Sequence, residues 1–289
     1  MISSGNNFPD FDFSQNHLDR LIVSLHDKTP KEEFVKKYNW NIESYNNMIS
    51  FLESKDFIKR VNESFVPTCM IISTKDGDEL FKSAEPISEQ IADSIIDRLL
   101  YLKEKYLSTH LSKTVPFDSI SFFLIGNVLL DNWQIANVEN YFIHAERPAR
   151  NGKNYYYSFL ECSDPDSEPF GIYGNMRFSE FSVFGNNQRK VNRYKITQNI
   201  ESLPLVDSFD NSKFEEFSDW FKVPLISILN ANKDYAVEIY NKSRYSKEVD
   251  FSEFFIWWYH FIYTQTTNLI SKKGLIIIPK NGNFYYRIK

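Results

Sequence analysis

From Phe122 to Leu130 the chain is apolar, interrupted only by Gly126 and Asn127. Such a run cannot present a solvated face, so it has to lie inside the protein. It is about half the ~20 residues that span a bilayer, as is Phe254 to Tyr263, and no transmembrane helix is expected. A polar turn follows it: His144, Glu146, Arg147, Pro148, Arg150, Asn151, Gly152 and Lys153 precede the β-forming Tyr155, Tyr156, Tyr157 and Phe159. A core of this kind with strands behind it organises the rest of the molecule.

The 289 residues are long for one compact core and suit two domains. Formal charge is −5, which gives no global attraction to nucleic acid or to an anionic membrane. Any DNA contact therefore needs a local patch. Met1 to Gln15 has neither a basic n-region nor an apolar h-region and reads as a loose tail, so a cytoplasmic chain is expected. Cys69 and Cys162 make neither a disulfide framework nor a metal cluster.

Leu18, Leu21, Ile22 and Leu25 keep helical spacing and predict a helix over residues 16–27. Thr29, Pro30 and Glu32 read as a capping box opening a second helix that buries Phe34 and Tyr38. A third, starting after Asn41, is expected to bury Ile42, Tyr45, Met48, Ile49 and Leu52. Two strands, 57–61 and 65–73, flank a turn at Asn62, Glu63 and Ser64. Three short helices followed by a hairpin is the order of a winged helix, and residues 16–74 resemble that family.

The resemblance implies that the third helix enters the DNA major groove, with Ser44, Asn46, Asn47 and Ser50 near bases, and that Lys55, Lys59 and Arg60 face phosphates. It makes DNA, through residues 41–66, a partner, with a protein partner as the alternative. Between Leu18 and Glu63 the charges depart from a DNA-binding pattern: eight basic residues face eight acidic ones, and the third helix carries no arginine.

Residues 74–86 read as a connector to a long helix opened by Pro86, with Ile91, Ile95, Leu99, Leu102 and Tyr106 on one side. Such a helix links domains or forms the seam of a homodimer. Two similar phrases, at 170–175 and 184–187, each read as a strand ending in a glycine turn. Arg189, Lys190, Arg193 and Lys195 read as a charged strand edge. Pro224 is expected to open a new helix after Phe214, Phe217, Trp220 and Phe221, and a last helix is capped at Asp250 and Glu253. After Gly274, residues 275–279 and 283–288 flank Asn281-Gly282 as a terminal hairpin, which would make a second, degenerate winged-helix-like unit.

The fold class expected is α+β: tail 1–15, winged-helix-like domain 16–75, connector and long helix 76–115, and a domain 116–289 of helices packed on a small antiparallel sheet, ending in a helix plus hairpin. No phosphate loop, nucleophile elbow or HExxH motif occurs, so no catalytic residue, metal ligand or cofactor is assigned. The ligand-binding candidates are Trp133, His144, Glu146, Arg147, Arg150, Lys153 and Tyr156, where arginine forks and an aromatic wall would take an anionic small molecule or peptide. Together these features describe a cytoplasmic transcription regulator with a C-terminal sensing domain. The alternatives are an enzyme with a His/Glu/Arg cleft or an interaction scaffold.

Overall fold

The computed structural model describes residues 2–3, 7–161, 172–186 and 199–289. The chain opens with β1 (Ile2–Ser3), α1 (Leu18–His26), α2 (Lys31–Tyr38), α3 (Ile42–Ser54), β2 (Ile58–Val61), β3 (Ser64–Pro67) and β4 (Met70–Ile72). Four helices follow, α4 (Thr74–Ile96), α5 (Leu99–Tyr106), α6 (Phe117–Phe123) and α7 (Ile135–Val138). Then come β5 (Ala149–Arg150), β6 (Lys153–Tyr156), β7 (Ser158–Leu160), β8 (Tyr173–Arg177), β9 (Ser182–Asn186) and β10 (Leu205–Val206). The C-terminal part is α8 (Ser208–Ala231), α9 (Lys233–Lys242), α10 (Phe251–Lys272) and β11 (Asn283–Ile288). Mixed helices and small sheets make this an α+β protein. Two compact units form, each from three stretches: Met1–Ser73, Ala145–Glu161 and Tyr235–Trp257 in the first, and Thr74–His144, Cys162–Asp234 and Trp258–Lys289 in the second.

In the first unit α1 buries Leu18, Leu21, Ile22 and Leu25, α2 buries Phe34, and α3 buries Ile49 and Leu52 around Phe57 and Tyr155. Asn41 caps α3, its Oδ1 accepting from Ser44 N at 2.7 Å. The Thr29 capping box does not form. Pro30 itself is the N-cap of α2, at ψ 141°, and no side chain caps the helix. Ile42, expected inside, is 48% exposed at the first position of α3, two turns before Ile49 on the same face. The segment before α1 is part of the core: the Phe13 ring lies 4.7 Å from Phe57 and 4.8 Å from Phe159.

Strands β2 and β3 pair antiparallel around Asn62, whose φ is 55°. The second strand expected over 65–73 divides at Pro67, which has no N–H to continue a ladder. Beyond it, β4 pairs in parallel with β7. Residues 235–257 are held to this unit by two buried contacts. His26 Nδ1 lies 2.9 Å from both Glu248 carboxylate oxygens, and the Tyr245 hydroxyl donates to Ile71 O at 2.7 Å.

In the second unit α6 runs without a break into a wide, π-type stretch, Leu124–Leu129, and every residue from Ile120 to Asp131 is buried. Above it lies the sheet β10-β11-β9-β8, antiparallel except for the β10/β11 pair. Helix α4 already starts at Thr74 and passes through Pro86, and α8 passes through Pro224. Neither proline opens a helix. Pro86 sits on the exposed face, where water can take the carbonyl it frees, and Gln90 Nε2 donates to Pro86 O at 2.9 Å.

Gly174 and Gly185 are not turns: they face each other within β8 and β9, and the turn is made by Phe178–Phe181. Asn281-Gly282 does turn the chain, with Gly282 at φ 72°, but residues 275–279 form no strand. Instead β11 takes β9 and β10 as partners, so the expected terminal hairpin is absent. Residues 164–166, the glycine-rich residues 170–171 and the basic cluster at 189–195 lie outside the described residues.

Candidate functional site

On α3 the side chains of Asn46, Asn47 and Ser50 are exposed and Ser44 is half-buried, its amide spent on the Asn41 cap. They share a helix because its other face is drawn inward by Ile49 and Leu52. Lys31 Nζ donates to Asn46 Oδ1 at 3.0 Å, placing a cation beside that amide. Lys59 and Arg60 are exposed on β2, the guanidinium of Arg60 lying 6.0 Å from the Phe65 ring centre. Lys55 is engaged differently: Nζ is 3.0 Å from Asp10 Oδ2, and this bond holds the Asp10 carboxyl below the usual carboxylate range. A groove lined by Phe11, Gln15, Asn16, Leu18, Met48 and Phe51 flanks the same helix.

The polar turn at 147–153 is a tight β5–β6 hairpin built on Asn151 (φ 49°) and Gly152 (φ 75°), both left-handed as a two-residue turn demands. Its cations go to three separate partners. Arg147 lies 5.7 Å from the Tyr156 ring centre, and Lys153 Nζ donates to Phe8 O at 3.1 Å. Arg150 points inward and is 1% exposed. Its guanidinium donates to Tyr155 O, Thr68 O and Glu253 Oε2, between the rings of Phe57 and Tyr155, each 5.6 Å away.

Glu253 completes this centre by accepting from Tyr157 N at 2.9 Å. Burial pushes its carboxyl up, to about 7, against the opposing pull of Arg150 and the Tyr157 amide. Beside it burial drives the Cys69 thiol far above its usual range. Tyr156 is buried and Glu146 is exposed. Trp133 and His144 belong to the second unit, Trp133 packed on Phe123 and Phe214 and His144 exposed at φ 53°.

A third cluster lies under the sheet of the second unit. Asn127, on the π-type stretch, is fully buried; its Nδ2 is 3.4 Å from Asn175 Oδ1, while its Oδ1 has no hydrogen-bond partner. Tyr286 Oη donates to the same Asn175 Oδ1 at 2.7 Å. One turn on, Asp131 is 5% exposed, and burial raises its carboxyl to about 7 against hydrogen bonds from Tyr263 and the Asn175 backbone. Tyr263 Oη also donates to Tyr173 O at 2.6 Å. The Tyr263 hydroxyl has one proton, for which the Tyr173 carbonyl and the Asp131 carboxyl compete.

Sequence reasoning marks Asn127 as the lone polar residue of the run and passes over Asp131, which reads as part of a polar break. The wide helical turn that carries Asn127 leaves no periodic signature, though such turns gather at functional sites, and Asp131 lies in the bend just beyond it. Among the described residues no group of His, Cys, Asp or Glu is arranged to hold a metal, and no helix is long and apolar enough to cross a membrane. No protein-family model, curated protein or solved structure matches this chain.

Proposed function

We propose that this chain is a regulatory protein whose first unit is a winged-helix-like DNA-binding module, with α3 as the reading helix and the β2–β3 hairpin as the wing. The observation that carries this is the exposed polar row Asn46, Asn47 and Ser50 on a helix followed directly by a hairpin bearing exposed Lys59 and Arg60. Asparagine can pair in bidentate fashion with adenine in the major groove, and serine with either partner of a pair. Lysine and arginine on the wing would neutralise phosphates, which fixes register and makes affinity salt-dependent. The second unit, with its buried polar cluster at Asn127 and Asp131, would be the half that senses a small molecule or peptide.

A protein partner is the second reading, favoured by Lys55 being committed to Asp10 and by the equal count of acidic and basic residues around α3. Mobility shifts with neighbouring intergenic DNA and with random DNA at low salt separate the two. Retardation that prefers one fragment and weakens on replacing Lys59 and Arg60 supports DNA binding. Equal retardation of all fragments, or none, turns the assignment to a protein partner.

A further inference from the structure

Leu100 and Leu107 stand 71% and 73% exposed, seven positions apart and therefore on one side of α5 and its C-cap. Single exposed leucines are ordinary, but contiguous apolar surface marks an interaction site. Here the surface continues: Tyr101, 44% exposed, packs at 5.0 Å on Trp220 of α8, and one turn further along α8 Val223 is 71% exposed. Between the leucines lie Glu104, exposed, and Lys103, half-buried with its Nζ 5.2 Å from the Phe117 ring centre.

We propose that α5 is the seam of a homodimer in which two copies of this chain pack antiparallel. A two-fold interface is isologous: if one residue meets a second across it, the second meets the first in return. Antiparallel pairing about the midpoint between Lys103 and Glu104 sets Leu100 of each copy against Leu107 of the other. The same register sets Lys103 against Glu104 twice. Charge selects this arrangement, since parallel pairing would place Glu104 against Glu104 and Lys103 against Lys103, and like charges across an interface are strongly unfavourable. The proposal is independent of DNA binding, because α5 and the surface it continues into lie in the second unit and the proposed reading helix in the first.

Sedimentation velocity on the full chain tests it, with thermal melts run alongside. The wild type should sediment at twice 34.2 kDa, and Leu100→Glu and Leu107→Glu, both at solvent-open positions, should sediment as monomers with unchanged melts. Glu104→Lys, which sets lysine against lysine, should weaken the dimer at least about tenfold. Adding Lys103→Glu to it should restore the dimer by exchanging the charges. A wild type that stays monomeric at about 100 μM, the weak end of specific association, overturns the proposal. So does a dimer that persists in Leu100→Glu, or a correctly folded double exchange that stays as weak as Glu104→Lys. If the double exchange fails to fold, Leu100→Glu decides the matter alone.

Discussion

Arg150 Nη2 lies 2.5 Å from Glu253 Oε2, and each of the two side chains is 1% exposed. The pair joins residues separated by about a third of the chain, and it fastens the β5–β6 hairpin and the start of α10 within the first unit. Losing Arg150 leaves Glu253 and the Tyr155 and Thr68 carbonyls without their buried donor, and breaking a buried pair of this kind costs about 3 to 5 kcal/mol. Arg150→Ala should therefore lower unfolding free energy by about that amount in urea titrations. Arg150→Lys should do nearly as badly, because a single ammonium cannot serve Tyr155 O, Thr68 O and Glu253 from a planar fork. Arg147→Ala, at a half-buried position over a ring, should change stability far less. Equal losses for Arg147→Ala and Arg150→Ala would contradict the inward placement of Arg150.

Asp131 sets a pH dependence whose sign is fixed by its surroundings. Its folded carboxyl is raised from 3.8 to about 7, so the folded protein holds a proton that the unfolded chain has released. Stability from this proton is fully present below pH 3.8 and is lost as pH rises through 7. A tenfold change in proton affinity is worth about 1.4 kcal/mol, so roughly 4 kcal/mol is at stake across that window. Asp131→Asn keeps the shape without the charge, so its stability should exceed that of the wild type at pH 8 and vary less with pH between 4 and 7. An asparagine variant that is less stable than wild type at pH 8 would show that Asp131 is held as a carboxylate.

Two glycines of the second unit, Gly126 under its sheet and Gly185 within it, should differ in their tolerance of alanine. A Cβ at Gly185 would stand 1.9 Å from Asn283 Oδ1 and 2.7 Å from the Gly282 carbonyl, so the strand itself has to move. At Gly126 the obstacle is the edge of the Phe184 ring, 2.6 Å away, a side chain that can rotate only within a full core. Overpacking of this kind costs about 1 to 3 kcal/mol. Gly126→Ala should fall within that range and Gly185→Ala at or above its upper end, as read from denaturant midpoints. The reverse order would contradict the register of β9 with β11.

Signals carried by a few adjacent residues are legible in the sequence. Asn41 caps α3, Asp250 accepts from Glu253 N at 2.8 Å, and Gly274 ends α10 at φ 72°. What depends on distant partners is not. Asn281-Gly282 forms its turn, yet the strands that β11 takes as neighbours, β9 and β10, lie far up the chain, beyond any local rule. Pro86 and Pro224 read as helix openers because a proline suits a first turn, but a long helix packed along its length outweighs one missing hydrogen bond. Arg150 looks like a solvated loop cation because its hairpin is polar, and only Glu253 explains why it turns inward. The α3 row is legible as a face, and the Lys55–Asp10 pair that withdraws one of its expected cations is not.

The DNA-binding assignment is tested most directly by fluorescence anisotropy on the duplex that the full chain enriches from a random library, measured against a scrambled duplex across a salt series. Asn47→Ala should cost about 1 to 3 kcal/mol of discrimination between the two duplexes while leaving the salt slope unchanged. Lys59→Ala with Arg60→Ala should weaken both duplexes alike and reduce the salt slope by about two phosphate contacts. No enriched duplex, or an enriched duplex bound equally well after Asn46, Asn47 and Ser50 are all replaced by alanine, would contradict the assignment of α3 as the reading helix.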